Sequence, residues 1–144
     1  MSTPAPDRPQ TLGEEIANAI SHGLGALLAV AALPILVMRA LTHGTSADVV
    51  AAVIFAATAI LLYGISALYH ALPATLAGGR VKDWLNRLDH AAIYVFIAGS
   101  YTPFTLGVLH TGPGLTLLIA VWAAAAFGVT VKLLNRLRDR KSVV

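Results

Sequence analysis

The chain has 144 residues, 57% of them hydrophobic and only 12% charged, which excludes an ordinary soluble domain of that size. Its net charge is +3, but the basic residues stand beside apolar runs, which points to lipid headgroups and topology rather than nucleic acid. There is no cysteine, so disulfides and cysteine-type zinc sites are excluded as well.

Residues 1–15 are polar and Pro-rich and are expected to form a loose tail. They lack the basic region, short apolar core and small-residue cleavage site of a signal peptide. Thr11 and Glu14 have capping-box spacing, and Glu14 and Glu15 suit a first helical turn, so a short interfacial helix is expected there. Four apolar segments follow, from about Ala19 to Met38, Val49 to Tyr69, Ala91 to Val108 and Leu115 to Val131. Each approaches the ~20 residues that cross ~30 Å of hydrocarbon as a helix. Strands are disfavoured because open sheet edges cannot be satisfied in lipid. Ser46 or Asp48 is the expected N-cap of the second helix, and Pro73 with Gly78-Gly79 predicts a longer polar loop before the third. Thr111-Gly112-Pro113-Gly114 reads as a tight turn before the fourth, and Pro34 and Pro103 as kinks.

These elements predict an all-α, polytopic transmembrane helix bundle with a membrane domain over 16–134 and a basic tail over 135–144. With the N-terminus inside, Arg8, Arg80, Lys82, Arg87, Lys132, Arg136, Arg138, Arg140 and Lys141 lie in the cytoplasm, against Arg39 alone outside. The positive-inside rule therefore predicts N-in and C-in.

The polar residues at the ends of the second and third spans carry the functional expectation. Ionisable groups at membrane depth are costly, which makes His70 and Asp89 candidates by default. Ser66 and His70 are four apart and share a helix face. A neutral imidazole is a common zinc ligand, Asp89 would hold a water or act as general base, and Ser66 would orient a ligand or hold developing negative charge. The plainer alternative places His70 in an interfacial aromatic belt and makes Asp89 a helix cap. His22, four residues after Asn18, is expected to make an interhelical hydrogen bond, and His43 and His110 to be solvated. Asp89, Ile93, Phe96 and Ser100 form the stripe of the third helix expected to face inward, and His90, Tyr94, Ile97 and Tyr101 the other. The small residues, among them Gly23, Gly25, Gly64, Gly99 and Gly128, read as close-packing positions.

Taken in order, Glu14-Glu15-Ile16-Ala17-Asn18, Ser21-His22-Gly23, Ser66-Ala67-Leu68-Tyr69-His70, Leu88-Asp89-His90 and Gly99-Ser100-Tyr101-Thr102-Pro103-Phe104 closely resemble the hemolysin III family. That family is the bacterial branch of the progestin and adipoQ receptor superfamily. The resemblance implies a seven-helix protein with a zinc site near the cytoplasmic face. In it His70 is a metal ligand, Asp89 contacts the metal's water and Ser66 lines the site. It further implies membrane lipids as partners, hydrolysis of a lipid amide at the inner leaflet, and, from the family label, a cytolytic alternative. A receptor-like or membrane-homeostasis role is the other alternative. The family's two remaining zinc histidines come from an HxxxH motif in the seventh helix. This sequence contains no HxxxH, so it supplies one expected ligand of three and is expected to be a shortened member.

Overall fold

Each helix starts and stops where local chemistry demands it. The computed structural model describes residues 10–109 and 112–139. Among these, α1 spans Leu12–His43, α2 Ser46–Ala71, α3 Ala74–Pro103 and α4 Gly112–Asp139, with a π-helical turn at Phe104–Val108 and no strand. The first nine residues, His110, the turn residue Thr111 and residues 140–144 lie outside the described residues.

Thr11 caps α1 through the expected box: its hydroxyl accepts from Glu14 N while the Glu14 carboxylate accepts from Thr11 N at 2.8 Å. The expected interfacial helix and first span are one element, running unbroken through Pro34 for 32 residues. At 1.5 Å per residue that is about 48 Å, longer than the ~30 Å hydrocarbon core. The N-cap of α2 is Thr45, rather than Ser46 or Asp48, because Asp48 takes the third helical position and accepts from Thr45 N at 2.8 Å.

The loop expected around Gly78-Gly79 does not form, since α3 begins directly after Pro73 and is helical through both glycines. Pro73, at φ −65°, is already set for a helix start. Two turns on, Lys82 Nζ donates to Tyr69 O at 2.6 Å and Leu72 O at 2.9 Å, which holds the new helix against the end of the old one. At the other end of α3, Pro103 has no N–H to give, and the chain widens into the π-helical turn, closed by Leu109 N to Phe104 O at 3.0 Å. Buried Thr102 and Thr105 bond the carbonyls around this defect, and Trp122 Nε1 of α4 donates to Thr102 Oγ1 at 3.2 Å.

Among the described residues, the backbones of the long helices approach only their chain neighbours, α1 with α2, α2 with α3 and α3 with α4, while the π-helical turn also meets α2 and α4. Buried positions are mostly small: Ala51, Ala56 and Ala59 on α2, Ala91, Ala92 and Ala98 on α3, and Ala125 on α4. A glycine marks each interface. A Cβ on Gly25 would lie 2.8 Å from the Tyr63 ring, one on Gly128 2.7 Å from Tyr94, and one on Gly99 would overlap Thr58. Such close approach is how helices associate in lipid, where apolar burial alone gives no drive. The outward faces carry Leu24, Leu27, Leu28, Ile119 and Phe127 in the open, the surface of a protein solvated by acyl chains. All four helices are long and apolar enough to cross a membrane, making this a multi-pass membrane protein.

Candidate functional site

The helix register brings the polar residues to one end of the row, where α1 starts, α2 ends and α3 starts. On α2, Ser66 is buried and His70 follows one turn later, its side chain 8% exposed. On α3, Asp89 and Ile93 face the same place. His22 of α1 completes it, so that His22, Leu62, Tyr63, Ser66, His70, Asp89 and Ile93 line one cavity of about 230 Å³.

His22 makes the interhelical hydrogen bond expected of it, with Nδ1 2.5 Å from Ser66 Oγ. Its ring centroid lies 5.7 Å from that of His70, edge to face. Asp89 has no hydrogen-bond or ion-pair partner among the described residues, so its carboxylate is the uncommitted acceptor of the cavity. The stripe expected to face inward does so only in part, since Ile93 is 44% exposed and Ser100 is exposed, while the buried positions of α3 include Leu85, Ala91, Ala92, Ala98 and Thr102. Asp89 and Ile93 line the cavity, and Phe96 packs its ring 6.1 Å from Phe55 and 6.3 Å from Tyr63. Ser100 lies nearer the opposite end, in a cleft with Leu36, Asp48 and Phe55. His90 is exposed, and its Nδ1 is 2.6 Å from Asn86 O of its own helix. His43 is likewise exposed at the end of α1, 2.6 Å from Thr42 Oγ1.

Two members of the site escaped the sequence reading. Glu15 Oε2 is 2.7 Å from His70 Nδ1, and Glu15 Oε1 is 3.5 Å from Lys82 Nζ. Lys82 also sits 4.3 Å over the Tyr69 ring, and Asn86 Nδ2 donates to Tyr69 Oη at 2.7 Å. The signal for Glu15 was present in its spacing. Glu15 and His22 are seven apart, two helical turns, and therefore share the face of α1 turned to α2. Lys82 had no comparable signal, since a basic residue beside a span ordinarily serves topology.

Among the described residues no group of three or more His, Asp or Glu side chains is arranged to hold a metal ion. The residues present therefore do not by themselves fit a catalytic zinc, which needs three protein ligands and an open position.

The chain matches the family model described as Haemolysin-III related over residues 10–143. It is 46% identical over 123 residues to the Hemolysin-3 homolog of Bacillus subtilis (strain 168), covering 85% of this chain and 56% of the relative. To Hemolysin-3 of Bacillus cereus it is 44% identical over 124 residues, covering 86% of this chain and 55% of the relative. The chain thus spans about half the length of these curated relatives. No solved structure matches it. Motif order, helical architecture and these matches agree that the chain belongs to the haemolysin-III family.

Proposed function

We propose that the cavity between α1, α2 and α3 is the working site of this membrane protein and that it acts on the carbonyl of a lipid amide. The supporting observation is that Ser66, His70, Asp89 and His22, from three helices, line one small cavity with Asp89 uncommitted. Leu62, Tyr63 and Ile93 give it apolar walls suited to an acyl chain. Asp89 is the base that takes a proton from an attacking water and returns it to the leaving nitrogen as the C–N bond breaks, and the Ser66 hydroxyl is a donor for the developing oxyanion. The Lys and Arg distribution favours the cytoplasmic leaflet for this end. Zinc is the metal that the resemblance implies, with His70 as its ligand. Among the described residues there is no three-ligand set, so they do not by themselves fit that ion.

The test is fatty-acid release from ceramide-type lipid amides by protein reconstituted in liposomes, with bound zinc measured in parallel. Asp89→Asn should lower release at least about a hundredfold, the range for losing a general base, and His70→Ala should lower it as well. Release unchanged in Asp89→Asn overturns the reading. The names of the two relatives support a second reading, a membrane-perturbing protein. Dye leakage from the same liposomes that persists in both variants, without fatty-acid release, would establish it instead.

A further inference from the structure

We infer that Glu15 is a positioning residue that selects the tautomer of His70. The inference rests on the reading of His70 as a working group of the cavity, but not on any metal or substrate being bound. A carboxylate has only acceptors to offer, so the 2.7 Å contact from Glu15 Oε2 requires the proton to be on Nδ1 of the ring. In the neutral ring, Nε2 is then the nitrogen that keeps its lone pair. Of a histidine's two nitrogens, the one hydrogen-bonded to a carboxylate decides what the other can do.

The surroundings hold this arrangement from both sides. The imidazole is packed with its centroid 4.7 Å from the Tyr69 ring and 5.7 Å from the His22 ring. Lys82, anchored to Tyr69 O and Leu72 O, keeps the second carboxylate oxygen of Glu15 in place at 3.5 Å. His70 also forms a wall between two cavities. One, about 270 Å³, contains Glu15 and Lys82, and the other contains Ser66 and Asp89. With Nδ1 committed to Glu15, Nε2 is the nitrogen available to Ser66 and Asp89. Through Glu15 of α1, the site thus receives a His70 ring of fixed orientation carrying a Lewis base.

Nitrogen-15 NMR of histidine-labelled protein in detergent micelles reads the tautomer directly, at a pH of about 8.5, well above the ordinary histidine range. The full chain should show His70 mainly as the Nδ1–H form. Glu15→Leu should lower the Nδ1–H to Nε2–H ratio by about tenfold or more, the worth of one hydrogen bond to a charged group. Glu15→Gln keeps an acceptor oxygen, so Nδ1–H should remain the majority form with a ratio reduced severalfold. That variant also covers a failure of the leucine variant to fold. A ratio unchanged in either variant, or an Nε2–H majority in the parent chain, overturns the inference. If the ratio shifts as expected while lipid-amide release is absent, the positioning stands and the hydrolytic reading falls.

Discussion

The two ends of the helix row differ in how their polar side chains are bonded. Where α1 begins, the contacts run between helices: Glu15 to His70, Glu15 to Lys82, His22 to Ser66, Lys82 to the end of α2, and Asn86 to Tyr69. Where α1 ends, several polar side chains bond within their own turn, although Trp122 of α4 reaches across to Thr102 of α3. Thr42 bonds Met38 O, Arg39 O and His43, and Thr45 and Asp48 close a capping box on themselves. Asp48 also lies close to a neighbouring element, with Oδ1 2.8 Å from where a Cβ of Gly107 would lie. A polar group that bonds inside its own turn serves its own helix. One that reaches across ties its position to a neighbour's, which is what a preorganised site requires.

The contrast is open to direct attack. The largest effect on stability is expected from Lys82→Met, which takes a donor from two backbone carbonyls and the cation from Glu15. SDS-induced unfolding in mixed micelles should show a loss of about 1–3 kcal/mol. If the loss is negligible, the interhelical clasp is an incidental contact and the two ends are equivalent. Thr45→Ala at the other end should cost about 1 kcal/mol, the usual worth of an N-cap, while leaving lipid-amide release unaffected. Release that falls with this variant would mean the far end also feeds the site. The smallest effect belongs to His90→Ala. Its ring is exposed and bonded to its own helix, so both stability, within about 0.5 kcal/mol, and release should match the parent. A deficit in either would show that the wrong stripe of α3 had been assigned inward.

Much of the fold was legible because its determinants are local. Apolar run length placed four spans, and Thr11 with Glu14 announced the first cap. The errors arose where a longer-range partner overrode a local cue. Gly78-Gly79 reads as a break, yet Pro73 and the hold of Lys82 on α2 start α3 immediately. Ser46 is a good capping residue, but Thr45 has an acidic side chain three positions ahead and Ser46 has not. In the site, Ser66 and His70 were readable from their spacing on one helix, and Asp89 from its cost at membrane depth. Glu15 was assigned to the helix dipole, a correct local role that concealed its contact 55 positions away.

The strictly sequential pairing of the helices bears on how the chain is made. Two residues separate α1 from α2, at 44–45, and two separate α2 from α3, at 72–73, and among the described residues the backbone of each long helix approaches only those of its immediate predecessor and successor. Each hairpin can therefore assemble in the bilayer as soon as its second arm leaves the ribosome. The loop-closure entropy that slows folds with distant pairings is small at every step.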